Sequence, residues 1–270
     1  MPGSSGLPSA ASTTRSGLSR SSRWANCRVN TGGMCWTTRT GTGRDAGSWG
    51  RTLASASGPP KKPAVLVVGS STGGPEALAR VLPQLPANLP VPVLMVQHMP
   101  PVFTRQFAQR LDRLSPLRVV EAADGSPLVP GTVHLAPGDH HLVVRTQGRG
   151  PGASLHTGLT QGPPENFCRP AVDPLFRSVV AAYDGAVLAV VLTGMGSDGR
   201  NGAAEVRAGG GTVIVQDQAT SVVWGMPGAI AQAGLADEIL PLDRIAEAIN
   251  RHLAGVSPVR PAATVAGGAR

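Results

Sequence analysis

The chain has 270 residues, of which 41% are hydrophobic and 15% charged, so it is long enough to bury the core of one large domain or two small ones. Its formal net charge of +8 comes entirely from residues 1–62, which hold 9 of the 24 Lys and Arg and 1 of the 16 Asp and Glu. The neutral remainder has no basic surface for nucleic-acid binding, and its longest apolar run, residues 186–192, is too short to insert into a membrane.

The cysteines and the first residues favour a reducing compartment. Cys27, Cys35 and Cys168 are too few for an even disulfide framework. The N-terminus has neither the cationic start nor the apolar segment of a signal peptide. We therefore expect a cytoplasmic protein, and we expect no metal and no cofactor.

The predicted organisation is one folded domain between two unstructured segments. Residues 1–62 are rich in Ser, Gly, Thr and Arg and show no helical or strand period, which predicts a disordered basic leader that ends in a Pro-rich linker. Residues 63–254 form the predicted domain, and residues 255–270 are expected to fray.

The first predicted strand carries the most informative motif. Five apolar residues at 64–68 predict a strand that is buried on both faces, and Pro75 followed by Glu76 predicts a helix start. Between them, residues 69–73 read Gly-Ser-Ser-Thr-Gly, which fits G-x-S-x-G in its strand-turn-helix context. We expect Ser71 at the sharp bend, with its hydroxyl at the carboxyl edge of the sheet.

A Gly-rich turn in this position can also bind phosphate. The dinucleotide-binding pattern needs glycine where Ser71 stands, and the P-loop needs lysine where Pro75 stands, so neither pattern fits. A nucleotide- or phosphate-binding sensor module remains the alternative interpretation.

The rest of the domain alternates apolar strand-length runs with helical patterns. This predicts an α/β fold with a doubly wound, mainly parallel, Rossmann-like sheet and helices on both faces. The further predicted strands cover residues 91–96, 117–120, 186–192, 212–215 and 238–240, and the helices cover 75–84, 103–114, 173–183, 200–208, a segment after 226–227, and 243–253. Short segments within 124–158, such as 132–135 and 141–145, are separated by Gly-containing turns and predict hairpin additions to the main sheet.

Three polar residues follow predicted strands and can share one edge of the sheet. Ser71 follows the first strand, His98 the second, and Asp198 lies in the loop after residues 186–192. Serine, histidine and aspartate supply the nucleophile, the base and the orienting acid of a hydrolase. Their order along the chain differs from that of α/β-hydrolases. His98 could also be an ordinary loop residue, and Asp124 and Asp139 compete with Asp198.

The loop that contains Asp198 is rich in glycine. Residues 194–199 read Gly-Met-Gly-Ser-Asp-Gly, which permits a substrate to approach the backbone closely. Its N–H groups are candidate oxyanion donors.

Several motifs together resemble the catalytic domain of chemotaxis protein-glutamate methylesterases. They are Gly-Ser-Ser-Thr-Gly-Gly at 69–74, Gln-His-Met-Pro-Pro at 97–101 with Phe-Thr-Arg at 103–105, Ala-Pro-Gly-Asp at 136–139, Arg-Pro-Ala-Val-Asp at 169–173, Leu-Thr-Gly-Met-Gly-Ser-Asp-Gly at 192–199, and Trp-Gly-Met-Pro at 224–227. The resemblance covers about residues 64–253.

The resemblance implies a function and site residues. It implies Ser71 as the nucleophile, His98 as the base and Asp198 as the orienting acid, with Thr72 and Met195 bordering the oxyanion and substrate site, where we also place Arg169. It implies hydrolysis of glutamate γ-methyl esters on the cytoplasmic helices of chemoreceptors, with release of methanol, and deamidation of glutamine at the same site.

The chain departs from the family pattern in two places. Family members usually carry an N-terminal receiver domain, and residues 1–62 are too short and too unpatterned for one, so we expect this domain to be lacking. Ser70 stands where the family commonly has a small apolar residue.

Overall fold

The computed structural model describes residues 61–148 and 152–255. The strands are β1 (Val65–Ser70), β2 (Val93–Gln97), β3 (Arg118–Glu121), β4 (Thr132–Leu135), β5 (His141–Gln147), β6 (Ser154–Thr160), β7 (Val187–Val191), β8 (Thr212–Gln216) and β9 (Glu238–Leu240). The helices are α1 (Gly74–Val81), which runs into a 3₁₀ turn at Leu82–Gln84, α2 (Pro101–Leu114), α3 (Val172–Ala182), α4 (Arg200–Ala208), α5 (Met226–Gln232) and α6 (Leu242–Leu253).

Seven strands form one parallel sheet in the order β3-β4-β2-β1-β7-β8-β9. The chain winds outward from β1 in one direction through β2 and in the other through β7, so β1 lies where the winding direction changes. Ligands of open α/β sheets bind in the crevice beyond the carboxyl ends of the strands at such a point. The loops after β1, β2 and β7 therefore form the expected position of a site.

The sheet separates two hydrophobic cores. Side chains at alternate positions of β1 face opposite ways, because successive residues of a strand point to opposite faces. Leu66 and Val68 pack in the core that includes residues of α1, α2 and α6, whereas Val65 and Val67 pack in the core that includes residues of α3, α4 and α5. All six residues of β1 are buried. The predicted doubly wound α/β fold is confirmed.

The middle of the chain differs from its prediction as a set of hairpins on the main sheet. The segment Thr132–Leu135 is β4, a parallel strand of the main sheet between β3 and β2. Within the described part of this segment, β5 and β6 are the strands that form a hairpin, and they pair as a separate two-stranded antiparallel sheet. Short polar turns flank both kinds of strand, so local sequence did not distinguish a parallel central strand from a hairpin arm.

Two predictions fall outside the described residues. These are the disordered leader, apart from residues 61 and 62, and the frayed tail beyond residue 255. Within residues 61–148 and 152–255, none of the helices combines the length and the hydrophobicity that crossing a membrane requires.

Candidate active site

Ser71 directly follows β1, in a turn held by the loop after β7. Its backbone N–H donates to the Thr193 carbonyl at 3.0 Å, and its side chain is half-buried. The left-handed residue of this turn is Gly73, with φ 80°, whereas Ser71 is not among the described residues with positive φ. The sharp bend predicted at Ser71 thus lies two residues later. A Cβ at Gly73 would stand 2.7 Å from the Val222 side chain, so this position requires glycine.

The two neighbouring serines have different environments. Ser70 is fully buried, and its hydroxyl donates to the Gln97 side-chain carbonyl at 2.7 Å. The Gln97 amide in turn donates to the carbonyls of Ser71 and His98, each at 3.0 Å. Gln97 therefore ties together the loops after β1 and β2, and Ser71 is the serine that lies beyond the end of the strand.

The loop after β7 packs directly on Ser71. A Cβ at Gly194 would lie 2.9 Å from the Ser71 Cβ and 2.4 Å from the Met226 sulfur. Only glycine permits this close approach between the two loops.

The structure brings His98 and Asp198 together. The His98 Nε2 atom lies 2.8 Å from the Asp198 Oδ2 atom, and both side chains are largely buried. The competing acids are paired with arginines instead: Asp124 with Arg145, and Asp139 with Arg169. Asp198 is thus the carboxylate that can orient the imidazole.

Asp198 is held by many donors. Its Oδ2 atom also accepts from the Val172 N–H at 2.6 Å, while Oδ1 accepts from the N–H groups of Asp173 and Gly199 at 3.1 and 2.9 Å. Burial by itself would raise the pKa of Asp198, but the hydrogen bonds from His98 and from the Val172 N–H outweigh burial and lower this pKa below its ordinary value. The carboxylate therefore stays ionised.

The second nitrogen of His98 faces a cysteine. Cys168 Sγ lies 3.4 Å from His98 Nδ1. Burial favours the neutral imidazole, but the hydrogen bonds with Asp198 and Cys168 outweigh it and raise the pKa of His98 to about 9. At neutral pH the imidazole of this state is therefore mostly protonated.

The orientation of the ring decides which nitrogen can serve Ser71. Because Asp198 occupies Nε2, only Nδ1 is left to accept a proton from a nucleophile. His98 lies beside Ser71, since the His98 N–H donates to the Ser70 carbonyl at 3.1 Å. No hydrogen bond joins the Ser71 hydroxyl to Nδ1 within the described residues, and Cys168 contacts that nitrogen instead.

A short turn supplies contacts to both His98 and Asp198 that the sequence did not predict. Glu165 and Cys168 exchange backbone hydrogen bonds of 3.1 and 2.9 Å, and the two residues between them have φ angles of 50° and 63°. This pattern is typical of a two-residue type I′ hairpin turn. Its Asn166 amide donates to Asp198 Oδ1 at 2.9 Å and to Asp173 Oδ2 at 3.0 Å. An Asn in a Pro- and Gly-rich loop was the only sequence signal.

Asp173 completes this buried network. Its Oδ1 atom accepts from the Gly202 N–H at 2.7 Å, which links α3 to α4. Burial, with a smaller contribution from the charge of Asp198, raises the pKa of Asp173. The Asn166 amide thus lies between two neighbouring carboxylates.

A cavity of about 300 Å³ opens beside this network. His98, Cys168 and Arg169 contribute to its wall, together with Pro100 and Asp139. Arg169 donates through Nε and Nη2 to Asp139 Oδ1, at 2.9 and 2.6 Å, and through Nη1 to the Gly162 carbonyl. Arg169 therefore lines the cavity, but much of its donor capacity holds the loops in place, and its role in substrate binding stays a prediction.

Two of the predicted oxyanion residues, Thr72 and Met195, are on loops that adjoin Ser71. Thr72 is exposed next to it in sequence, and Met195 follows Gly194 with 71% of its surface exposed. Among the described residues, the backbone N–H groups of Thr72 and Met195 donate no hydrogen bond. They are therefore available to an incoming oxygen.

The described ranges contain no group of three or more His, Cys, Asp and Glu residues arranged to hold a metal ion. The arrangement itself offers a hydroxyl, an imidazole paired with a carboxylate, and the backbone N–H groups of Thr72 and Met195.

The comparisons with known proteins agree with one another. The family model described as CheB methylesterase matches residues 66–249. A protein-glutamate methylesterase/protein-glutamine glutaminase of Nocardioides sp. (strain ATCC BAA-499 / JS614) is 63% identical over 194 residues, which cover 72% of this chain and 52% of that protein. A second protein of this name, from Caulobacter vibrioides, is 56% identical over 72% of this chain and 55% of its own length.

A solved structure covers the same region. The crystal structure of the Thermotoga maritima CheB methylesterase catalytic domain is 44% identical, with a TM-score of 0.67, and the match covers 72% of this chain and 99% of that domain. The chain spans about half the length of the two curated relatives but nearly all of the solved domain. The chain belongs to the CheB methylesterase family.

Proposed function

We propose that this chain is a serine hydrolase that cleaves glutamate γ-methyl esters on a protein, with Ser71, His98 and Asp198 as its catalytic triad. The observation that carries the proposal is the hydrogen bond between His98 and Asp198 at the carboxyl edge of the sheet, next to the Ser71 turn. The names of the relatives, protein-glutamate methylesterase/protein-glutamine glutaminase, support the choice of substrate.

The first half of the reaction forms an acyl-enzyme. Ser71 Oγ attacks the ester carbonyl while His98 Nδ1 accepts its proton, and Asp198 stabilises the imidazolium through Nε2. The N–H groups of Thr72 and Met195 stabilise the oxyanion. When the tetrahedral intermediate collapses, the C–O bond to the methoxy group breaks, and the imidazolium protonates this group to give methanol.

The second half releases the enzyme. A water molecule gives its proton to Nδ1 and attacks the acyl carbon, and the bond to Ser71 Oγ breaks as the imidazolium returns the proton. The products are a glutamate side chain and free Ser71. A glutamine side chain follows the same path with ammonia as the leaving group, which is the deamidase activity that we include in the proposal.

We assign the substrate to methyl-accepting chemotaxis receptors, at their cytoplasmic helical region, and the reaction to the cytoplasm. The resemblance of the motifs supports this assignment, and the names of the relatives support a protein-bound glutamate.

The test is methanol release from methylated receptor by wild-type protein and two serine variants. Ser71→Ala should lower turnover on the order of 10⁴- to 10⁶-fold, because it removes the nucleophile. Ser70→Ala is the matched control: it removes one buried hydrogen bond and should cost less than about tenfold.

Wild-type turnover in Ser71→Ala would contradict the mechanism. A wild-type chain that binds nucleotides saturably and leaves the ester intact would favour the phosphate-sensor alternative. No contact among the described residues points specifically to that alternative.

A further inference from the structure

Large exposed hydrophobic side chains concentrate around the mouth of the site. Eight such side chains are found among the described residues, and Leu114, Val129 and Ile239 lie away from the mouth. The other five lie on loops or in a helix start at the carboxyl edge of the sheet, and we call them the apolar rim: Val102, Phe103, Phe167, Met195 and Val222. Phe167 is fully exposed, and Val222 is 70% exposed.

Contacts within the loops connect this rim to the proposed triad. Phe167 lies between Asn166 and Cys168, whose side chains contact Asp198 and His98 respectively. Met195 follows Gly194, which packs on Ser71.

The other members of the rim are just as close to the site loops. Val222 lies against Gly73 in the turn after Ser71. Val102 and Phe103 are in the first turn of α2, which begins three residues after His98. Apolar side chains grouped in this way mark interaction surfaces, whereas apolar residues exposed singly are ordinary.

The charges around the mouth favour an acidic partner. Three carboxylates near these loops are paired within the protein, in the pairs Asp139–Arg169 at 2.6 Å, Glu165–Arg177 at 2.5 Å and Glu76–Arg110 at 3.1 Å. Asp217, on the loop that carries Val222, accepts hydrogen bonds from Thr220 and has no ion pair among the described residues. Arg105 in α2 and Arg200 at the start of α4 are exposed and have no ion pair among the described residues. The mouth therefore combines apolar side chains with unpaired positive charge.

We propose that the apolar rim is the docking surface for the substrate polypeptide itself, which is a glutamate-rich segment. Its apolar side chains pack on Phe167 and Val222, and its esterified side chain enters the cavity beside His98. This inference rests on the proposed function, since a protein-bound ester must bring its backbone across the mouth. The segment's acidic side chains would then face Arg105 and Arg200.

The experiment compares two substrates in the full chain. We would measure kcat/KM for methanol release from methylated receptor and from the small ester N-acetylglutamate γ-methyl ester. The rim variants are Phe167→Ser, Val222→Ser and the double variant. Leu114→Ser and Ile239→Ser are matched controls, because these side chains are about half exposed and lie outside the rim.

We expect each rim variant to lose about tenfold in kcat/KM on the receptor, mainly through KM, as a contact of moderate energy would require. The ratio of receptor to small-ester turnover should fall at least about fivefold. The controls should leave this ratio within about twofold of wild type.

Two results would overturn the docking surface. Equal losses on both substrates would mean that the rim acts through the geometry of the triad. A gain on the receptor would mean that the rim is covered by another part of a longer protein rather than by substrate.

A binding measurement separates this inference from the proposed function. The Kd for a methylated cytoplasmic receptor fragment should rise about tenfold in Phe167→Ser and stay unchanged in Leu114→Ser. If wild type released no methanol, the proposed function would fail, and this Kd would still decide whether the rim binds the receptor. An unchanged Kd in Phe167→Ser would exclude the rim.

Discussion

His98 is the residue whose environment most constrains the chemistry. Its Nε2 is bound to Asp198 and its Nδ1 faces Cys168, and these contacts raise its pKa to about 9 although burial acts in the opposite direction. A base must lose its proton before it can accept one from Ser71. In the proposed mechanism, this arrangement limits turnover at neutral pH.

This predicts a pH profile and a variant that shifts it. The kcat/KM for ester hydrolysis should rise with pH up to about 9, because only the neutral fraction of His98 acts as a base. Cys168→Ala removes one of the hydrogen bonds that raise the pKa of His98, so the rising limb should move to lower pH. Each pH unit by which the rising limb moves should increase kcat/KM at pH 7 about tenfold.

Measurement of kcat/KM between about pH 6 and 10 checks this prediction. Cys168→Ser keeps a hydrogen-bond acceptor for the imidazolium N–H at this position and should leave the limb close to that of wild type. If the rising limb of Cys168→Ala lay at the same pH as that of wild type, the Cys168 thiol would have no influence on the pKa of His98.

At the scale of elements, the turn from Glu165 to Cys168 contacts both Asp198 and His98. Its left-handed Asn166 reaches Asp198 and Asp173, and its last residue reaches His98. Asn tolerates left-handed backbone better than most residues, which suits the first central position of this turn.

Asn166→Asp should impair catalysis more than folding. A third carboxylate between Asp173 and Asp198 would repel both and rotate Asp198 away from His98, so we expect kcat to fall on the order of 10- to 100-fold. The control variant Asn88→Asp makes the same substitution at an exposed position near the amino end of β2, and it should alter kcat less than about twofold.

Steady-state kinetics on the small ester, with thermal unfolding as a check on folding, would test this. A loss of kcat that merely follows a loss of folded protein would assign Asn166 a structural role only.

The sequence predicted the elements of this fold better than their partners. The buried strands were readable because β1, β2 and β7 are short apolar runs, and their order along the chain already indicated a parallel sheet. The position of β4 between β3 and β2 was not readable, because pairing depends on contacts between residues distant in the chain.

The same distinction applies to the site. Ser71, His98 and Asp198 were predicted because each follows a strand, and the structure places His98 and Asp198 in contact. The positions of Asn166 and Cys168 were not predictable, since they depend on how a loop folds against residues 32 and 70 positions away. Nor could the sequence reveal which nitrogen of His98 faces Asp198. The assignment of Ser71 as nucleophile stays a prediction.

At the scale of the whole molecule, His134 makes stability depend on pH. This β4 residue is buried, and both ring nitrogens lack a hydrogen-bond partner. Burial, together with the nearby charge of Arg118, lowers the pKa of His134 to about 4. Between pH 6.5 and about 4 the unfolded chain therefore binds a proton that the folded protein does not, so stability falls as the pH falls through this window.

The free energy of unfolding should decrease by about 2 kcal/mol between pH 7 and pH 5 through this residue alone. His134→Leu should remove this part of the pH dependence, whereas His156→Leu, at a half-buried position of the β5–β6 hairpin, should retain it. Urea unfolding at both pH values measures the difference. Identical pH dependence in His134→Leu and wild type would contradict the prediction.

The direction of β1 has a topological consequence for anything attached ahead of it. The chain enters the sheet at Pro63 and Ala64, at the amino end of β1, where Ala64 N–H donates to the Ala186 carbonyl. Ser71 lies at the other end of this six-residue strand, about 20 Å away at the usual rise per residue. Chain that precedes Pro63 therefore joins the sheet at the end opposite to Ser71, so the point of attachment does not itself occupy the proposed catalytic crevice.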